Sequence, residues 1–309
     1  MRKACLNSIF ELAQMDERVV FIGSDLGPGT LDEFRHEIPD RFFMEGISEQ
    51  NVIGMAAGMA MEGYIPFVNT IATFLSRRCY EQVAMDLCLH NLPVRLVGNG
   101  GGLVYAPLGP THLAIEDIAI MRALPNMSVV SPCDAEEMRR FIPSTLEHPG
   151  PIYIRLAKGG DEIITSPVNN FQIGRAVVMR EPRKVVIIST GIMTQRALKA
   201  AEILKAEDVE CGVIHMHTVK PLDFDALAYA AQKAKIIVTV EEHLMTGGLG
   251  SAVTDYLASA HWERFPMIKK MGIPDVFPGE YGSQDSLLQS FDLTSESIAA
   301  AVRSSMVEN

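Results

Sequence analysis

Over roughly the first 160 residues, short apolar runs alternate with helix-patterned stretches, and this constrains the fold of the chain more than any other feature. RVVFIGSDL reads as a buried strand ending in a polar loop, and FFMEGIS as a second short strand. SEQNVIGMAAGMAMEG follows as a helix rich in small residues. IPFVNTIATF is a strand and loop, SRRCYEQVAMDLCLHN a helix, and PVRLVGNGGG a strand running into glycines. THLAIEDIAIMRAL reads as helix, NMSVVSPCD as strand, AEEMRRFIPSTLEH as helix and PIYIRLAKG as strand. The pattern predicts a doubly wound α/β domain that binds its ligands beyond the C-terminal ends of the strands.

Turn formers in GGDEIITSPVNNFQ interrupt the alternation. We place a linker at 165–180, between a domain at 1–164 and a smaller α/β domain at 181–309. The second unit reads KVVIISTG, helix QRALKAAEILKAE, CGVIHMHTVKPLD, helix DFDALAYAAQKA, KIIVTVEE, helix LGSAVTDYLAS and MIKKMGI. With 309 residues there is room for two cores, and 48% hydrophobic with 21% charged residues fits a globular protein. No apolar run reaches the roughly 18–20 residues of a membrane helix, and MRKACLNSIFELAQ is an amphipathic helix rather than a leader. The net charge of −11 is diffuse and argues against a nucleic-acid surface. Cys5, Cys79, Cys88, Cys133 and Cys211 are dispersed without metal-ligand spacing, which suits reduced thiols in a cytoplasm.

Read singly, the polar residues at strand ends are ambiguous. Glu49 after Ser48 has the look of an acid in a helix's first turn. His215 and His217 share one face of a strand, but two histidines without a third ligand make a poor metal site, and packing is the expectation. GNGGG lacks the fingerprint of a nucleotide loop; its glycines are expected to let a substrate channel or cofactor approach the backbone.

Taken in order, the motifs carry more. GSDL, EGISEQNVIGMAAGMA, TFLSRRCYEQ, GPTHLAIEDIAIMRALPNMSVVSPCD and YIRLAKGG resemble the pyrimidine-binding domain of transketolases and deoxyxylulose-phosphate synthases. VKPLD, VEEHLMTGGLGSAV and IPDVF resemble their C-terminal domain, so the resemblance covers essentially the whole chain. It implies thiamine diphosphate as cofactor, with ketol transfer as the chemistry. The family holds the diphosphate through Mg²⁺ or Ca²⁺ on a GDG-to-asparagine motif, and no GDG occurs here. The resemblance therefore implies that a separate N-terminal-half subunit brings the metal ligands, in an α2β2 assembly, and that this chain supplies none.

Residue by residue, the resemblance implies that Glu49 sets a carboxyl against N1′ of the cofactor's aminopyrimidine. Phe74 and Tyr80 would pack around that ring, and Asp25 would lie near the cofactor. Gly54, Ala56, Ala57, Gly58 and Ala60 would permit close packing at a subunit interface. His112 would line the substrate channel and move protons, while Lys158, with Arg155 close by, would meet the substrate's phosphate. Arg77 stands where transketolases often carry another aromatic. Leu108 and Gly100 replace an acid and a histidine of sugar-phosphate transketolases, which implies a shifted substrate preference. The alternatives are the beta subunit of a 2-oxoacid dehydrogenase decarboxylating component, a deoxyxylulose-phosphate-synthase-like enzyme, and a non-catalytic partner-binding paralogue.

Overall fold

The computed structural model describes residues 1–23, 31–259, 261–262 and 264–307. In the first domain, β1 (Val19–Gly23), β2 (Phe42–Met44), β3 (Ile65–Ile71), β4 (Arg95–Asn99), β5 (Ser128–Val130) and β6 (Ile152–Leu156) pair in parallel. Every residue of β1, β4 and β6 is buried, as strands covered on both faces require. Helices Arg2–Met15 and Ala135–Ser144 cover one face, where Leu6, Ile9 and Phe141 join the core. Helix Glu49–Met61 and the segment 74–88 cover the other, through Val52, Ile53, Leu75 and Val83.

The second sheet contains β7 (Val177–Arg180), β8 (Val185–Ser189) and β9 (Cys211–His215). After a short strand, β10 (Thr218–Lys220), the sheet resumes with β11 (Ile236–Leu244) and β12 (Met267–Ile273). Its order is β12-β11-β8-β9-β7, parallel except for β7 against β9. β10 leaves this sheet and pairs antiparallel with β5, giving the first sheet the order β10-β5-β6-β4-β3-β1-β2. The run CGVIHMHTVKPLD, read as one strand, is thus two strands in two sheets, and it ties the domains together. The fold agrees with the expected pair of α/β domains, with sheets of seven and five strands.

Three local expectations differ. β7 lies inside the stretch placed as linker, because VVMR finds an edge to pair with. SRRCYEQVAMDLCLHN is not a regular α-helix: Phe74–Arg78 and Val83–Cys88 are wide π turns flanking Tyr80–Gln82. Such turns shift the side chains that follow and recur at functional sites. The helix read from Thr111 begins only at Asp117, leaving 111–116 as an ordered loop. Among the described residues no helix is long and apolar enough to cross a membrane.

Candidate active site

Glu49 opens helix Glu49–Met61, where the unpaired N–H groups of the first turn favour a negative charge. Ser48 precedes it as the N-cap but makes no side-chain capping bond. The carboxylate is only 3% exposed, and its Oε2 accepts a hydrogen bond from Arg78 Nη1 at 2.7 Å. A buried carboxylate needs such a partner, since desolvation disfavours its charge. The same guanidinium lies over the ring of Phe74, 4.1 Å from its centroid. Phe74 in turn meets the ring of His112 edge-on, with centroids 5.4 Å apart. One flat cation therefore touches both the acid and the aromatic face, with an imidazole at the rim.

The π turn at Phe74–Arg78 sets this arrangement. It presents Phe74 and Arg78 toward Glu49 and directs Arg77 to the loop that carries His112. Arg77 donates to Thr73 Oγ1 at 2.5 Å and to the Leu113 carbonyl at 2.9 Å, and pairs with Glu116 at 3.0 Å. His112 donates its backbone N–H to the Gly109 carbonyl at 3.0 Å, and its Nδ1 lies 2.9 Å from Thr111 Oγ1. Gly109 adopts φ +76°, and the ring of Tyr281 lies 2.6 Å from where a Cβ would stand. A second-domain aromatic thus reaches the GPTH turn.

Not every expected residue joins this group. Asp25 lies outside the described residues. Tyr80 packs against the first-domain core, and its hydroxyl donates to the Ile120 carbonyl at 3.0 Å. Lys158 lines a cleft of about 770 Å³ between the domains, together with Asp161, Gln195, Arg196 and Gln284. Arg155, expected beside the substrate, is buried and is not among the residues lining that cleft. Its Nε donates to Asp117 Oδ2 at 2.8 Å, and its Nη2 to the carbonyls of Ala114 and Glu242 at 3.0 and 2.9 Å. Burial opposes its charge, yet Asp117 beside it outweighs burial and holds the guanidinium more firmly protonated than usual. Gly54 and Gly58 are exposed with open space beside them, whereas Ala56, Ala57 and Ala60 are buried in this chain's own core. Only part of the small-residue stripe is thus free to meet another surface.

The glycines of GNGGG also serve a different purpose from the one expected. A Cβ at Gly101 would fall 2.5 Å from the Arg155 side chain, and one at Gly102 2.5 Å from the Glu242 carboxyl carbon. At Gly100, with φ +73°, it would fall 2.1 Å from the ring of Tyr105. Protein side chains, rather than a ligand, occupy the space these glycines leave.

His215 and His217 are buried at the seam between the domains, in agreement with packing. His215 lies 2.9 Å from Glu137 Oε2 through Nε2 and 2.8 Å from Thr194 Oγ1 through Nδ1. Burial would raise the Glu137 carboxyl, but His215, His217 and the Cys133 N–H outweigh it and hold it at about 2. His217 stacks on Phe171 at 4.2 Å, and burial lowers it to about 4. Cys133, Glu137 and His215 bring ligand-type atoms within 4.8 Å of one another, but both nitrogens of His215 and Oε2 of Glu137 already have protein partners.

Sequence reasoning missed Arg78, Glu116 and Glu242. The adjacent Arg77 and Arg78 in TFLSRRCYEQ were the available signal, but their division of labour depends on the π turn.

Residues 1–160 match the family described as transketolase, pyrimidine binding domain, and residues 174–298 match transketolase, C-terminal domain. A 6-deoxy-6-sulfo-D-fructose transketolase subunit from Clostridium sp. (strain MSTE9) is 37% identical over 97% of this chain and 92% of its own length. A putative transketolase C-terminal section from Methanocaldococcus jannaschii is 36% identical, covering 99% of this chain and 96% of its own. The 1-deoxy-D-xylulose-5-phosphate synthase of Caldanaerobacter subterraneus subsp. tengcongensis is 36% identical over 96% of this chain, which spans 47% of that protein. Among solved structures, a split gene transketolase described as an inactive beta4 tetramer superposes with a TM-score of 0.90. It is 38% identical, with 98% of this chain and 97% of that one covered.

Proposed function

The chain belongs to the transketolase family, and from that premise we propose that it is the C-terminal subunit of a split, thiamine-diphosphate-dependent transketolase. In this reading it moves a two-carbon ketol unit between sugar substrates once a separate subunit brings the diphosphate- and metal-binding domain. The observation that carries the reading is that the Arg78 guanidinium bridges the Glu49 carboxylate and the Phe74 ring, whose edge meets the ring of His112.

That arrangement fits an aminopyrimidine. A flat, hydrogen-bonding ring stacks on Phe74 and meets a buried carboxylate where the guanidinium does now. When bound, the cofactor supplies the carbanion-stabilising centre. Glu49 then holds or exchanges a proton at the pyrimidine ring nitrogen, and its burial keeps water from competing for that bond. Phe74 orients the ring. His112, half-buried at the rim, donates to or accepts from donor oxygens and moves their protons. Lys158 offers a point charge to an anionic substrate terminus from the interdomain cleft. Any Mg²⁺ or Ca²⁺ would be held by the partner subunit, in an α2β2 assembly.

Donor selection follows from Leu108 and Gly100. Leu108 is exposed and brings no hydrogen-bonding group, and the Tyr105 ring fills the place of a side chain at Gly100. Sites that read hydroxyl groups reject analogues by factors on the order of 10⁴, so losing such contacts redirects preference. A donor with an altered or sulfonated terminus, as named for the Clostridium relative, is then favoured over an ordinary pentose phosphate. The synthase relatives support a second reading, in which the product is a deoxyxylulose phosphate.

Reconstitution with a GDG-bearing partner subunit tests these readings together. The isolated chain is expected to be inactive and the mixture active with ketose donors. Robust ketol transfer by the isolated chain overturns the split-subunit reading. A mixture that forms 1-deoxy-D-xylulose 5-phosphate and transfers no ketol unit from ketose donors selects the synthase reading.

A further inference from the structure

Glu242 belongs to the second domain, near the end of β11, yet its carboxylate lies against the glycine loop of the first. Its Oε1 accepts from the backbone N–H of Leu103 and from Gln284 Nε2, both at 2.8 Å. Gly102 adopts φ +69°, and the Glu242 carboxyl carbon lies 2.5 Å from the position of a Cβ there, so the loop is shaped to admit this side chain. Gly102 also exchanges two backbone hydrogen bonds with Ala114, at 2.8 and 3.1 Å. Residues 102–114 therefore form a loop closed at its base, and that loop carries Tyr105, Leu108 and His112. Arg155 binds the same base from below, donating to the carbonyls of Ala114 and Glu242 at 3.0 and 2.9 Å.

A buried N–H left without an acceptor is costly, so the Leu103 bond holds the loop base in one conformation. His112 stands two residues before Ala114, and Arg77 grips the loop from the other side through the Leu113 carbonyl. We infer that Glu242 is a positioning residue, by which the second domain fixes the base of the 102–114 loop and so the placement of His112. The inference rests on the reading of His112 as a substrate-facing group.

Glu242→Ala removes the acceptor, whereas Glu242→Gln keeps an oxygen able to accept from Leu103. Hydrogen exchange on the full chain separates positioning from packing. In Glu242→Ala, amides within 102–114 should exchange about tenfold faster or more, while those of β8 and β9 stay within about twofold of the parent. Glu242→Gln should restore most of the protection. In the reconstituted complex, Glu242→Ala should lower kcat/KM for the donor about tenfold and leave cofactor affinity unchanged. Unaltered loop exchange in Glu242→Ala overturns the inference. So does acceleration shared equally by β8 and β9, or a Glu242→Gln variant as impaired as Glu242→Ala. His112→Ala serves as the control: if it leaves donor kcat/KM unchanged, the reading of His112 fails, while loop exchange still decides the role of Glu242.

Discussion

Two groups of charged residues in this protein obey opposite rules. At the seam, Arg155, Asp117, Tyr153 and Glu242 are buried, and the guanidinium reaches a carboxylate and two carbonyls within 3.0 Å. At the Glu49 site the acid is buried as deeply, but its partner Arg78 is 41% exposed and rests on an aromatic face. In the seam the guanidinium is held by groups fixed in the fold, with Asp117 Oδ2 bound to both Arg155 and Tyr153. At the Glu49 site the partner is instead a partly exposed side chain, which under the proposed function a ligand would displace. Burial alone therefore does not separate the two acids; the exposure of the partner does, and it is what supports the catalytic role proposed for Glu49.

The sharpest break of this comparison is Glu49→Gln. The amide keeps the shape and can hydrogen-bond, but it cannot exchange the proton, so activity of the reconstituted complex should fall about 10²–10⁴-fold with folding intact. Exchange of the cofactor's thiazolium C2 proton for deuterium measures it. Exchange at the parental rate would show Glu49 to be only a helix-start acid.

Asp117→Ala tests the other side. It strands Arg155 in the seam, and breaking a buried pair by removing one partner costs about 3–5 kcal/mol. Urea unfolding reads this directly; a loss below about 1 kcal/mol would rank the seam with exposed ion pairs.

Acid should loosen the seam around His217 and Glu137. His217 is lowered to about 4, so the folded state resists the proton that the unfolded chain takes up. Stability is therefore lost as pH falls from about 6.5 through 4. Glu137 is held at about 2, below its unfolded value, so its contribution is full above about 4.5 and lost as pH falls toward 2. Urea midpoints at about pH 7, 5.5 and 4.5 should decline steadily through His217, and between about pH 4.5 and 3 the further decline should be smaller in Glu137→Gln than in the parent. A flat profile would remove the His217 and Glu137 linkage from the account.

Arg78→Ala should have the smallest effect. Removing the guanidinium frees both Glu49 and the Phe74 face, and cofactor should bind the reconstituted complex a few-fold more tightly. Because the pair is partly exposed, the change stays near the scale of a surface ion pair, about 1 kcal/mol or less. Calorimetric titration with thiamine diphosphate checks it, and weaker binding would show that Arg78 helps hold the ligand.

The sequence alone determined the two α/β domains, because uninterrupted apolar runs such as VVFIG can only be buried on both faces of a sheet. Glu49, Phe74 and His112 were singled out by the resemblance of their motifs taken in order, since an acid after Ser48 or a lone phenylalanine is ambiguous by itself. Tertiary structure decided the rest. Arg155 and Lys158 stand three residues apart in YIRLAKGG, yet one is sealed in the seam and the other lines an open cleft. The strand's pleat and the approach of β11 select between them, and neither can be read from spacing. Likewise Gly102 looks like a ligand loop until Glu242, 140 positions later in number, is found occupying its place. Local pattern fixes what a segment forms; which side chain fills a gap depends on packing between segments that the sequence does not place side by side.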